Sequence, residues 1–183
     1  MKTVPLISSK DAKEAAVSAK HVVEIHYALT DFLCAGLSLP EIDAFVGTKL
    51  RDLKCKSAFH KYKIPAQPPF PSQSCISVND CVVHGTHIMP QSPLSAGDLI
   101  SVDIGVKHNG WIGDAAWTWG IEHVSEENQK LMQAGRESLA SGIKAMQPGR
   151  PMMDFARAVQ GVAESKYGFY LTRGLGGHGY GKT

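Results

Sequence analysis

One stretch of alternating residues, positions 99–121, limits the folds open to this chain more than any other part of it. Apolar side chains occupy every second position of its first half, at Ile100, Val102, Ile104 and Val106. Such a period of two is typical of a half-buried β-strand. Asn109-Gly110 then form a pair that accepts the positive φ angles of a hairpin turn, and a second apolar run extends to Ile121. The stretch therefore predicts an antiparallel hairpin with one apolar face.

The polar face of this hairpin carries two carboxylates, Asp103 and Asp114. A turn centred between His108 and Asn109 places them directly opposite each other, and a slip by two residues, with the turn on Asn109-Gly110, keeps them on one face. Like charges opposed across a strand pair cost up to about 1 kcal/mol. A divalent cation or a shared proton would offset this repulsion. The pair is thus a metal site, an acid–base dyad or two solvated surface residues.

Composition narrows the classes of protein that need to be considered. A length of 183 residues favours one domain, and a net charge of +2 gives no basic field that would argue for a nucleic-acid partner. No apolar run is long enough to span a bilayer, and the first residues lack a secretory signal, so we expect a cytoplasmic protein. No Cys-x-x-Cys spacing links the four cysteines, Cys34, Cys55, Cys75 and Cys81, so neither a zinc ribbon nor a redox pair is indicated. We expect Cys34 and Cys55 to be buried free thiols.

Capping residues and glycines predict the order of the other elements. Four helices are expected, from Ser8 or Ser9 to about Ala35, from Ser38 onward, from Ser125 to about Met146, and from about Met152 to Lys166. The proline-rich residues 65–71 predict a loop, and residues 75–80 and 81–85 predict two strands joined by a turn. The order of helix pair, loop and strands begins again past the hairpin, with Gly149 between the third and fourth helices matching Gly36 between the first two, which suggests a weak internal repeat.

The glycine-rich end of the chain allows two interpretations. Gly176 followed by Gly181-Lys182-Thr183 matches the spacing of a phosphate-binding loop, but no helix follows to bind the anion. The alternative is that His178, flanked by glycines, is a metal ligand, and a third reading makes it a simple loop residue. From this stretch alone, we favour the loop residue.

Five segments together resemble a known family. They are residues 75–79 (Cys-Ile-Ser-Val-Asn), His84-Gly85, residues 97–103, residues 110–114 and residues 177–181 (Gly-His-Gly-Tyr-Gly). In this order and spacing they resemble the type I methionine aminopeptidases, over nearly the whole chain. The resemblance implies the α+β pita-bread fold, in which helix pairs pack on a curved antiparallel sheet. It also implies one catalytic-type domain over residues 1–183, with the second pseudo-repeat cut short.

The resemblance also implies the active-site residues. Asp103, Asp114 and His178 would bind two divalent metal ions, of cobalt, manganese, iron or zinc. His84 would contact the substrate and stabilise the tetrahedral intermediate. Cys75 and Phe70 would lie at the pocket for the methionine side chain. His87 and His108 match no motif, and we treat them as loop residues.

The implied activity is removal of the initiator methionine from nascent proteins by a metal-bound hydroxide. The substrates would be proteins with an N-terminal methionine, which the enzyme would encounter at the ribosome. The full-length protein would be a monomer with no nucleic-acid specificity and no membrane association. Two alternatives are a non-catalytic pita-bread binding module and an Xaa-Pro aminopeptidase or prolidase relative, which shares the fold and the Asp-Asp-His ligands.

The sequence departs from the family pattern in three places. Where the family has Tyr-His-Gly-Tyr-Pro, this chain has Gln67-Pro68-Pro69-Phe70-Pro71, so that Phe70 keeps an aromatic wall without the polar contacts. Tyr180 stands where the family prefers a small aliphatic residue. The family's two glutamate ligands and second active-site histidine have no counterpart before Thr183. We therefore expect an N-terminal part of an aminopeptidase that is inactive, or nearly so, by itself.

Overall fold

The computed structural model describes residues 7–179 and Gly181, which form two compact units. The first unit contains the residues up to Glu122 and those from Gly179 onward, and the second spans residues 123–178. The sequence interpretations that rest on residues 1–6, Tyr180 and Lys182-Thr183 lie outside the described residues. Within the described part, no helix is long and apolar enough to cross a membrane.

The first unit begins with two helices whose starts follow the predicted caps. Helix α1 spans Ser9–Phe32, and the Ser8 hydroxyl accepts a hydrogen bond from the Asp11 N–H at 3.1 Å. Helix α2 spans Leu39–Asp52, and the Ser38 N–H donates to Glu41 Oε2 at 2.9 Å. A capping residue satisfies N–H groups that the first turn of a helix leaves without a partner, which is why these starts could be predicted.

The four-stranded antiparallel sheet of this unit is built around one long strand. Its members are β1 (Lys56–Ser57), β2 (Cys75–Val78), β3 (Leu99–His108) and β4 (Trp111–Gly120). Strands β1 and β2 pair with successive parts of β3 on one side, and β4 pairs along its whole length on the other. Helices combined with an antiparallel sheet confirm the α+β class.

The hairpin of β3 and β4 uses the slipped register. Asp103 pairs with Ala116, and Asp114 pairs with Gly105. The register that set Asp103 directly opposite Asp114 is therefore wrong, and the alternative with the turn on Asn109-Gly110 is confirmed. Both turn residues have positive φ, 50° at Asn109 and 82° at Gly110, as the two-residue turn that suits the twist of a hairpin requires.

The apolar face of β3 forms the centre of the core. Its four alternating side chains are fully buried against residues of both helices, among them Val22, Ile25, Leu29, Ile42 and Val46. Burying each side chain of this size stabilises the fold by about 1.5–3 kcal/mol. The opposite face of the sheet carries Asp103 and Asp114.

A buried histidine lies between α1 and the hairpin. His26 has no exposed surface, and its ring stacks on Trp117 at 5.0 Å between centroids. Its two ring nitrogens lie 2.9 Å from the Val22 carbonyl oxygen and 3.0 Å from the Val102 carbonyl oxygen. Burial nevertheless outweighs these acceptors and lowers the pKa of His26 below its ordinary value of 6.5.

The second unit consists of helices α3 (Glu126–Ala145) and α4 (Met152–Gln160), followed by a π-helical segment, Gly161–Lys166. The Ser125 hydroxyl accepts from the Asn128 N–H, as the predicted cap requires. At Gly142, an added Cβ would come within 2.6 Å of the Phe155 ring, so the absence of a side chain allows the two helices to pack closely. The predicted fourth helix is confirmed, with its last six residues wound as a π-helix.

The strand predicted at residues 81–85 is wrong. Strand β2 ends at Val78, and Asn79 follows with φ of 50°. Val82 and Val83, whose apolar character suggested a strand, are 58% and 48% exposed. His108, treated as a loop residue from sequence, is the last residue of β3.

We expect Gly113→Ala to destabilise the first unit. A Cβ at this position of β4 would lie 2.5 Å from the Ser18 carbonyl carbon and 2.7 Å from the Ala19 nitrogen, and backbone atoms of α1 cannot move aside easily. The expected loss in free energy of unfolding is about 1–3 kcal/mol, measured by urea denaturation. The matched control is Gly135→Ala in α3, where no atom lies within 4 Å and a gain of about 0.5–1 kcal/mol is expected. Equal stability of both variants would contradict the prediction.

We expect His26 to make the fold less stable in mild acid. Because its pKa is lowered in the folded state, the unfolded chain binds more protons below pH 6.5, and the free energy of unfolding falls as the pH drops. The slope is at most about 1.4 kcal/mol per pH unit for one group. Urea denaturation at several pH values from about 7.5 to about 5.5 measures it. His26→Gln should flatten this dependence, whereas the exposed His60→Gln should leave it unchanged.

Candidate active site

The candidate site lies on the polar face of the sheet in the first unit. Cys75 of β2, Asp103 of β3 and Ala116 of β4 form one row across the three strands. Asp114 lies opposite Gly105, one diagonal step from Asp103, and diagonal neighbours on one face are about 7–8 Å apart. Asp114 is exposed and Asp103 is half-buried. The hairpin thus presents two carboxylates on the same open surface.

Cys75 is held as a neutral thiol beside these carboxylates. Burial raises the pKa of Cys75 to about 12, and the negative charges of Asp103, Asp114 and Asp43 contribute to the same shift. A thiol with this pKa is protonated at neutral pH and is neither a nucleophile nor a thiolate ligand. In this environment Cys75 can serve as a small apolar wall.

An aromatic pair borders the carboxylates on the same face. Gly105, which pairs with Asp114, leaves room for the ring of Phe59, because an added Cβ would lie 2.6 Å from Phe59 Cε1. The Phe70 ring meets the Phe59 ring edge-on at 6.3 Å. Phe70 was identified from sequence, but Phe59 was not. The signal that could have found it is the glycine itself, which interrupts the polar face of β3 and marks a close approach.

His84 lies outside the sheet, in the segment that follows β2. The Ile76 N–H donates to the Gly85 carbonyl oxygen at 2.9 Å, and the Gly85 N–H donates to Ser77 Oγ at 3.2 Å. Residue 85 therefore runs along the edge of β2 that faces away from β3. Strand spacings of about 4.8 Å put this segment about 10 Å from β3. His84 is exposed.

His178 belongs to the second unit, in an exposed segment without regular structure. Its contribution to the same site as Asp103 and Asp114 stays a prediction. Among residues 7–179 and Gly181, no group of three or more His, Cys, Asp and Glu side chains is placed to hold a metal ion. The structure thus brings together Cys75, Asp103 and Asp114, with the two phenylalanines at their side.

The donor atoms of this face fit a divalent cation as part of its ligand set. Two carboxylates on one surface supply hard oxygen ligands, and their charges are strong enough at Cys75 to contribute to its raised pKa. A cation between them would offset their repulsion. Two side chains leave positions for other ligands, water or substrate.

Comparisons with known proteins agree with this description. The family model for metallopeptidase family M24 matches residues 11–183. A methionine aminopeptidase of Aquifex aeolicus is 31% identical over 98% of this chain and 69% of its own length. Methionine aminopeptidase 1 of Mycobacterium tuberculosis is 33% identical over 99% of this chain and 68% of its own length.

Solved structures show the same fold. The crystal structure of methionine aminopeptidase from Thermotoga maritima superposes with a TM-score of 0.82 at 26% identity, covering 90% of this chain and 64% of that one. Escherichia coli aminopeptidase P gives a TM-score of 0.72 at 14% identity, over 87% of this chain and 34% of that one, a likeness of fold alone. The expected pita-bread fold is confirmed. The chain spans about two thirds of the length of its methionine aminopeptidase relatives.

We expect Cys75 to resist alkylation in the folded protein. With its pKa raised to about 12, its thiolate fraction near pH 8 is about a thousandfold below that of an ordinary thiol. Timed iodoacetamide labelling followed by peptide mass spectrometry measures the rate. Cys34, whose expected burial is wrong, is exposed and serves as the control within the same sample, and both thiols should react alike in urea. Labelling of Cys75 at the rate of Cys34 in the folded chain would contradict the neutral, buried thiol.

Proposed function

This chain belongs to metallopeptidase family M24, and on that premise we propose that it cleaves the N-terminal methionine from peptides. The observation that carries the proposal is the hairpin, which sets Asp103 and Asp114 on one open face beside an apolar wall. The relatives named methionine aminopeptidase, similar over nearly the whole chain, favour this activity over the Xaa-Pro enzymes and over a non-catalytic module.

The family is one of metallopeptidases, and we propose that Asp103, Asp114 and His178 hold two divalent ions, of cobalt, manganese, iron or zinc. Bound there, such ions supply a Lewis acid for the peptide carbonyl and lower the pKa of water. The two aspartates would supply the negative charge that retains the cations. Both lie on one face of a single hairpin, which would fix their positions relative to each other.

His84 is the proposed catalytic group of the protein itself. Its imidazole offers an N–H donor that can bind the substrate carbonyl oxygen and stabilise the negative charge that develops on it in the transition state. The backbone bonds of Gly85 to β2 fix the chain directly after His84, which supports a histidine held for this task. A donor positioned before the reaction needs little reorganisation during it.

The side chain of the terminal methionine would contact Phe59, Phe70 and Cys75. A thioether packs well against aromatic ring edges, in contacts worth about 0.3–1.5 kcal/mol. The neutral Cys75 thiol adds an apolar surface without a competing charge. The proposed substrates are nascent cytosolic proteins with an N-terminal methionine, which the enzyme would encounter at the ribosome.

Metal binding tests the carboxylate pair directly. We expect Asp103→Asn and Asp114→Asn each to weaken binding of Mn or Co by about 10-fold or more, because each removes a charged ligand. Equilibrium dialysis with elemental analysis measures this loss. The exposed Asp80→Asn is the matched control, since it changes the net charge equally. Equal metal binding by all three variants would contradict the proposed site.

Peptide hydrolysis tests the reaction. With Mn or Co added, we expect release of methionine from Met-Gly-Met-type peptides at a small fraction of the rate of a full-length relative, because the family's glutamate ligands are missing, and no release from Xaa-Pro dipeptides. His84→Ala should lower kcat by about 10²-fold or more while metal binding is unchanged, and the exposed His123→Ala should retain the wild-type rate. Cleavage of Xaa-Pro alone would favour the prolidase relative. Metal binding without any hydrolysis would favour a binding module.

A further inference from the structure

A second polar cluster of the first unit lies away from the carboxylate pair. It consists of Asp43 on α2, Ser72 and Ser74 ahead of β2, and His87 beyond it. Asp43 is 7% exposed, and both serines are fully buried. Buried polar groups persist in a fold only when they are bonded, so the partners of this cluster are informative.

His87 is bound to one hydroxyl through both its ring and its backbone. Its Nδ1 lies 2.8 Å from Ser72 Oγ, and its N–H donates to the same oxygen at 3.1 Å. Asp43 Oδ2 lies 3.4 Å from the same Nδ1. The three residues are therefore locked to one another, and the backbone of residue 87 is fixed together with its side chain.

The combination of serine, histidine and aspartate here is not a nucleophilic triad. In such a triad the hydroxyl and the carboxylate bind opposite nitrogens of the ring, whereas here both approach Nδ1. Ser72 also has no exposed surface that a substrate could reach. The cluster must act on the position of the chain rather than on a substrate.

The same carboxylate also holds the chain that enters β2. Asp43 accepts hydrogen bonds from the Gln73 N–H at 2.9 Å and from both the N–H and the hydroxyl of Ser74 at 3.0 Å. Cys75 follows directly and begins β2. Asp43 thus ties together the start of the strand that borders the site and the segment that carries His84.

Two residues that follow His84 in the chain are held in place by hydrogen bonds. The first is Gly85, bonded to Ile76 and Ser77, where an added Cβ would lie 2.0 Å from the Ile76 carbonyl oxygen. The second is His87. Val82 and Val83, on the other side of His84, are exposed. On that side the nearest backbone–backbone bond runs from the Cys81 N–H to the Val78 carbonyl oxygen at 3.1 Å, three residues from His84. The constraints nearest to His84 therefore include the adjacent Gly85 and His87 on its C-terminal side.

We propose that His87 is a positioning residue for His84, holding the segment of residues 84–87 against β2 through Ser72 and Asp43. The catalytic consequence rests on the proposed function of His84. Without the clamp, residue 84 keeps the Gly85 anchor on its C-terminal side and the bond of Cys81 to Val78 on the other, and it samples more conformations. The loss would appear in the transition state, where the position of a donor matters most, and much less in substrate binding.

Two substitutions of His87 separate its Nδ1 contact from the rest of the ring. Asn presents an amide atom at the place of Nδ1 and can donate to or accept from Ser72 Oγ, whereas Gln presents it at the place of Nε2. We expect His87→Ala and His87→Gln to lose the clamp and His87→Asn to retain it. Ser72→Ala removes the same contacts from the other partner, and the exposed His123→Ala is the control.

The first readout is nuclear magnetic resonance on the 183-residue chain. We expect His87→Ala, His87→Gln and Ser72→Ala to move the ring resonances of His84 and to speed amide exchange at Gly85 and His87 by about tenfold. His87→Asn and His123→Ala should leave both unchanged. Unaltered His84 signals in His87→Ala would overturn the proposal, and so would failure of His87→Asn to rescue them.

The second readout is hydrolysis of a Met-Gly-Met peptide. We expect kcat to fall by about tenfold in His87→Ala, with KM and metal binding within about twofold of wild type, since only a transition-state contact is lost. An unchanged kcat beside altered His84 signals would overturn the positioning role and leave the proposed function intact. No hydrolysis by wild type, beside altered signals in His87→Ala, would instead contradict the proposed function and support the contact.

Discussion

The antiparallel ladder between β3 and β4 is the constraint on which the rest of the first unit depends. It fixes, residue by residue, which side chains enter the core and which face the site. A shift of one residue would turn Val102 outward and bring Asp103 into the apolar interior, where an unpaired carboxylate is costly. The same ladder places Gly113 against α1 and Gly105 against the Phe59 ring.

Local signals predicted the elements well and their exact pairing less well. Ser8, Ser38 and Ser125 start their helices because a capping oxygen needs only the next three residues. The alternation at residues 99–106 marked β3 for a similar reason. Register is harder, since two alignments of the hairpin keep the same side chains in the core. The positive φ of both Asn109 and Gly110 decides between them, and a stricter use of this turn rule would have given the answer.

The parts of the site that sequence reasoning missed depend on contacts between distant segments. Phe59, from the segment between β1 and β2, packs against Gly105, the strand partner of Asp114. Asp43 of α2 meets His87 directly, with Oδ2 3.4 Å from Nδ1, beside the buried Ser72. No period or spacing encodes such paths. The strand predicted at residues 81–85 fails for a related reason. Val82 and Val83 are apolar, but the chain has left the β3 ladder, and its backbone bonds to β2 are those of Cys81 and Gly85 at the two ends of the segment.

A side chain at position 105 and the Phe59 ring would compete for the same space, so substitutions at the two positions depend on each other. A side chain at position 105 would occupy space that the Phe59 ring already fills, with Phe59 Cε1 only 2.6 Å from an added Cβ. A larger residue at 105 is therefore compatible only with a smaller one at 59, and a smaller residue at 59 would leave a void beside Asp114. Across related sequences, a larger residue at position 105 should therefore accompany a smaller one at position 59. The two residues together then set the width of the apolar wall.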